Sequence, residues 1–245
     1  MVISASGGGW GPPAAAGAPS MLGYASTAQK ETEGTSTVVA TLSLGTAGVT
    51  LVCINAVRTA IRSGPTLNNS NTLGAALVAP AYTPDFSQYD LVIQALSSAL
   101  GTSNHAATLT KSSATTEEAT IALIAMSGGT AAATSVVRNA AGAGATLTSA
   151  SFTVSSGNRA RCLAVWSGTG AVNATAPTAT IVDTGTTTAA QWGSPIIAIA
   201  YSEAQAPSGH IPLYVWAADL GPGTYTWAAQ PAINEGAVMA TVVVR

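Results

Sequence analysis

The chain has 245 residues, of which 7% are Asp, Glu, Lys or Arg and 47% are hydrophobic, with a formal net charge of −2. Soluble domains ordinarily carry about a quarter charged residues, so this composition points to a surface hidden in an assembly or covered by hydroxyls and amides, and its eight scattered basic residues give nucleic acid no footprint. No run approaches the roughly 18 apolar residues of a membrane-spanning helix, and abundant aliphatic alternation excludes disorder.

The first segment, "MVISASGGGWGPPAAAGAPSMLGYASTAQKETEGT", covers residues 1–35. Three glycines precede Trp10, and Pro12, Pro13 and Pro19 oppose regular structure. The segment has neither a positive n-region nor a continuous apolar h-region, so no secretory signal is expected; the two cysteines are then expected as thiols in a reducing cytosol. An arm of such small residues cannot bury enough of itself to offset about 1–2 kcal/mol of ordering entropy per residue. Trp10, Met21, Leu22 and Tyr24 are therefore expected to bind a neighbouring subunit, with main-chain hydrogen bonds to that subunit's sheet edge.

Strand patterning begins after the arm. In "TVVATLSL", Val38, Ala40, Leu42 and Leu44 share one face. "VTLVCINAV" follows with Cys53, then the turn "GPTLNN", then "YDLVIQAL" with Leu91, "HAATLT", and "EATIALIAM", in which Ala119, Ile121, Leu123 and Ala125 share a face. "FSQYDLVIQALSSALG" is helix-like, but its later counterpart carries Pro212 and aromatics, so both are read as strands. Gly64-Pro65 and Gly128-Gly129 punctuate the runs.

Residues 130–145, small and Gly-rich, suit a linker or a strand crossing to the next unit. From residue 146 the same order of features recurs. "RARCLAV" follows a glycine turn as "VTLVCINAV" does, with Cys162 lying 109 residues after Cys53. Pro177 matches Pro65, Leu213 matches Leu91, Leu220-Gly221 matches Leu100-Gly101, "GTYTWAA" matches "HAATLT", and "NEGAVMATVVVR" matches "EEATIALIAM". Drifting separations with a constant order are what loop insertions in a duplicated unit produce. The expected fold is all-β: two tandem antiparallel β-sandwich (jelly-roll or Ig-like) domains from an internal duplication, at 36–129 and 146–245, with an extended N-terminal arm.

No catalytic constellation emerges. The ten carboxylates are scattered, and Glu118 and Glu235 occupy equivalent positions, as structural residues would. His105, His210, Cys53 and Cys162 lack the paired spacing of a zinc site; the cysteines are expected as unpaired, buried small hydrophobes, one per sandwich. "GAGATLTS" precedes a strand rather than opening a helix, so it is a turn and not a phosphate loop. No catalytic residue, cofactor or metal is expected. Trp166, Trp192, Trp216 and Trp227 all fall in the second copy, which the core explains better than an aromatic surface for sugar or a partner.

The glycine/proline arm, the tandem Ala/Thr-rich sandwiches and the run of a "VTLVCINAV"-like strand, a "GPTLNN" turn and an "EEATIALIAMSGG" closing strand resemble structural proteins of tailed-bacteriophage virions. That resemblance implies a non-enzymatic head-decoration (cement) or minor capsid subunit, located in the virion and assembled in the host cytoplasm. Its implied partners are major capsid or tail subunits and further copies of itself as a homo-oligomer. A tail or fibre component, and a carbohydrate- or receptor-binding module using the Trp-rich second sandwich, are the alternative readings.

Overall fold

A computed structural model describes residues 19–29, 37–58, 65–78, 89–101, 104–110, 119–139, 146–155, 159–169, 177–185, 188–191, 193–199, 212–230 and 236–245. These residues form eighteen strands and no helix. The first half contains β1 (Met21–Gln29), β2 (Thr37–Ser43), β3 (Val49–Arg58), β4 (Thr66–Leu67), β5 (Ala76–Val78), β6 (Tyr89–Ala99), β7 (Asn104–Thr110) and β8 (Ala119–Met126). The second contains β9 (Ala131–Asn139), β10 (Leu147–Thr148), β11 (Phe152–Val154), β12 (Ala160–Thr169), β13 (Thr178–Asp183), β14 (Thr188–Gln191), β15 (Ile197–Ile199), β16 (Leu213–Leu220), β17 (Gly223–Gln230) and β18 (Gly236–Val244).

Four antiparallel sheets result. The first half has a five-stranded sheet, β1-β8-β3-β6-β5, and a three-stranded one, β2-β7-β4. The second has a five-stranded sheet, β15-β16-β12-β18-β9, and a sheet ordered β10-β17-β13-β14 in which β11 also pairs with β17. Alternation accounts for the first small sheet: β2 exposes Thr37, Val39, Thr41 and Ser43 while Val38, Ala40 and Leu42 point inward.

The core has three layers. Val38, Leu42, Leu51, Cys53, Leu109, Ile121 and Leu123 fill the space between the two sheets of the first half. Phe152, Cys162, Trp166, Trp216, Trp227 and Val243 do the same in the second. Between them, a third cluster joins Val52, Ile54, Leu91, Ile93, Ile124 and Met126 to Leu163, Val165, Leu213, Val215, Val242 and Val244. The two five-stranded sheets therefore pack face to face, and the sandwiches stand back to back in four layers instead of following one another along a linker. This explains why β8 is buried at every position and why Thr50, Asn55, Thr120 and Thr241 lie inside: the central strands of these sheets have no solvent face.

Two expected boundaries are revised. The arm drawn over residues 1–35 includes β1, which pairs with β8 of its own chain from Met21 opposite Met126 to Gln29 opposite Ala119. The linker drawn over 130–145 includes β9, which pairs with β18 from Ala131 opposite Val244 to Asn139 opposite Ala237. The physical reason is the same in both cases. Strands β8 and β18 each need a second neighbour for their main-chain donors and acceptors, because a buried unpaired peptide group costs about as much as a lost hydrogen bond.

Candidate functional site

The residues expected to bind a partner are divided by the structure. Met21 and Tyr24 lie on β1 opposite Met126 and Ile124, half-buried against the core shared by the two large sheets. Leu22 sits at a bulge between Met21 and Gly23 and is 42% exposed. Trp10 lies outside the described residues. Strand addition, expected onto a neighbouring subunit, is for Met21–Gln29 an intramolecular event.

Where the chain enters β1 it is clamped. The Ser20 N–H donates to Ser127 Oγ at 2.9 Å, and the Ser127 N–H donates back to the Ser20 carbonyl at 2.8 Å. Arg161 Nε, on the central strand of the other half, donates to the Pro19 carbonyl at 3.3 Å. The C-terminal residue lies beside them: Thr130 and Arg245 exchange main-chain hydrogen bonds, and Arg245 Nη2 donates to the Thr153 carbonyl at 2.7 Å. A Cβ on Gly129 would lie 2.5 Å from the Arg245 carbonyl oxygen and 3.0 Å from Pro19 Cγ. The base of the N-terminal segment, the turn between the halves and the chain end thus meet in one place. The sequence reading missed Arg161 and Arg245; an arginine within the apolar run "RARCLAV" was the available signal.

Other candidate chemistries resolve into structure. Asp219 is tied to Arg159 at 3.2 Å, and Asp183 Oδ1 accepts the Gly185 N–H at 2.9 Å in a turn. His105 is fully buried on β7 opposite Leu42, and neither ring nitrogen has a hydrogen-bond partner among the described residues. Glu118, Glu235 and His210 lie outside the described residues. Among those described, no three His, Cys, Asp or Glu side chains come together as a metal site. Cys53 and Cys162 are free thiols in separate cores, as expected, and burial pushes both well above the ordinary thiol range.

The three described tryptophans are core. Trp166, Trp216 and Trp227 are buried with Tyr214, their rings 5.7 to 6.3 Å apart in sequence along the cluster Trp166–Tyr214–Trp216–Trp227. Trp227 Nε1 donates to Thr241 Oγ1 at 2.5 Å. None of these three indoles offers a face to a sugar ring; Trp192 lies outside the described residues.

No family model matches the chain, and no curated protein is significantly similar to it. Among solved structures it is similar to a beta-porphyranase of glycoside hydrolase family 86 from the human gut bacterium Bacteroides plebeius, at 14% identity and a TM-score of 0.28. That alignment covers 99% of this chain but only 36% of the enzyme.

Proposed function

We propose that the chain is a non-enzymatic structural subunit of a bacteriophage virion, a head-decoration or minor capsid protein that is tethered to neighbouring capsid or tail subunits by the residues preceding Pro19. The clamp at Pro19 and Ser20 carries this reading. A tether transmits force only if its base is fixed, and here the base is fixed to both halves, through Ser127 and through Arg161. Trp10 supplies the segment's one large aromatic anchor, and such residues carry a disproportionate share of interface energy. The sparse charge of the chain suits a subunit whose surface is largely covered by assembly. Homo-oligomeric contacts and assembly in the host cytoplasm belong to the same proposal.

The test is removal of residues 1–18, leaving β1 intact. The shortened chain is expected to keep its β circular dichroism and its melting temperature, and to lose occupancy on particles assembled from the other virion proteins. Trp10→Ala alone is expected to weaken occupancy in the same assay. Wild-type occupancy of the shortened chain would remove the tether from the proposal.

A further inference from the structure

We infer that the chain is a covalently joined pseudo-twofold dimer: its two halves bind each other through an isologous interface, and the partner that each five-stranded face fits is a second copy of the same sandwich. Three independent observations carry this.

The first is strand order. Read from the opposite edge, the second large sheet runs β9-β18-β12-β16-β15, which matches β1-β8-β3-β6-β5 place for place. Every ladder among the described residues joins strands of one half, so neither half lends a strand to the other.

The second is register. Placing Leu91 over Leu213 fixes the rest through the ladders. Leu91 faces Ala56 and Leu213 faces Ser167, so Ile54 falls on Val165 and Val52 on Leu163. Ala56 faces Thr120 and Ser167 faces Val238, so Ala122, Ile124 and Met126 fall on Ala240, Val242 and Val244. Each of these pairs has both members in the core between the two sheets. The alignment also places Cys162 over Leu51, so matching the cysteines to each other displaces the true register by two residues along the same face.

The third is reciprocity, the signature of a twofold contact in which residue i meets j and j meets i. Under this register Arg161 is the counterpart of Thr50, and Gly129 the counterpart of Pro19. The Thr50 hydroxyl donates to the Gly129 carbonyl at 2.6 Å, and Arg161 Nε donates to the Pro19 carbonyl at 3.3 Å. Each is a bond from the central strand of one half to the residue two before the outer strand, β1 or β9, of the other. Pro19 and Gly129 approach each other, as equivalent residues beside a twofold axis do. Likewise β1 packs near β15, and its counterpart β9 near the counterpart strand β5.

The test uses the full chain. A protease recognition sequence is inserted at Gly128, where a side chain would meet open space, and the folded protein is cleaved there. The two fragments are expected to co-elute at the size of the intact molecule. Their melting temperature is expected to become dependent on protein concentration, as mass action requires of a non-covalent pair, while that of the uncleaved chain does not. Fragments that elute separately, or that aggregate on cleavage, would overturn the inference. A second measurement needs no cleavage. Ile54→Ala and its counterpart Val165→Ala, each in the intact chain, are expected to lower one common unfolding transition. Two transitions, with only the mutated half's moving, would overturn it equally. Neither outcome bears on tethering by residues 1–18.

Discussion

Cys53 and Cys162 occupy matching faces of the two central strands and are enclosed completely. Burial favours the neutral thiol, so the folded chain holds its proton where the unfolded chain, near the ordinary value of 9.0, releases it. Tyr225 is pushed the same way by burial and by Asp183, opposed by Arg159. The stability associated with these groups is therefore full below about pH 9 and is lost as pH rises. Urea midpoints are expected to fall above that pH, and less steeply in the Cys53→Ala/Cys162→Ala double variant. Because the thiolate is the reactive form, neither cysteine is expected to take up iodoacetamide until the chain is unfolded; labelling of the native protein would contradict the burial. Thr241→Val, which keeps the shape but leaves Trp227 Nε1 without this acceptor, is expected to cost about 1–3 kcal/mol by chemical denaturation. Gly129 has φ +93°, and its neighbours leave no room for a Cβ. Gly129→Ala should cost at least about 1–3 kcal/mol, and more than an alanine at Gly128, which also has a positive φ of +152° but meets no neighbour.

At the scale of elements, β1 separates two effects that residues 1–35 combine. Removing 1–18 leaves the ladder with β8 intact, whereas removing 1–29 strips β8 of one neighbour and uncovers Met126, Ile124 and Ala122. The longer deletion is expected to abolish the cooperative melt and the shorter one to preserve it, by differential scanning calorimetry. The strands themselves were largely legible. Pro65 and Pro177 each precede a strand, β4 and β13, paired with β7 and β17, and the helix-like 86–101 does contain a strand, β6. Strand β1 was not legible because Gly23, Ser26 and Thr27 read as turn residues, although the sheet needs only their main chain. Strand β9 was only half legible, as one of two readings of 130–145, because its alanines carry no apolar alternation. The clamp at Pro19 was not legible at all, since it joins residues 142 positions apart.

For the whole molecule, the four-layer arrangement had a signal that alternation counts overlook. "ATIALIAM", "CLAVW" and "VMATVVV" carry apolar or small residues on both faces, the pattern of a strand covered on both sides. A sandwich with a solvated outer face makes most of its outward positions polar, as β2 does with Thr37, Thr41 and Ser43 and β7 with Asn104, Thr108 and Thr110. The described residues thus form a stack of sheets whose only described ion pair, Arg159–Asp219, is part-buried, with side chains 25% and 16% exposed, and lies within the second half. Its stability rests on apolar burial across three core layers, which Debye screening does not touch. Raising sodium chloride over the range that screens surface pairs is therefore expected to leave the melting temperature unchanged within a degree or so, by the small size of such pairs. Ammonium sulfate, excluded from protein surface and so favouring burial, is expected to raise it progressively. A melting temperature that falls steeply with sodium chloride would mean that ion pairs, not the stacked sheets, hold the halves together.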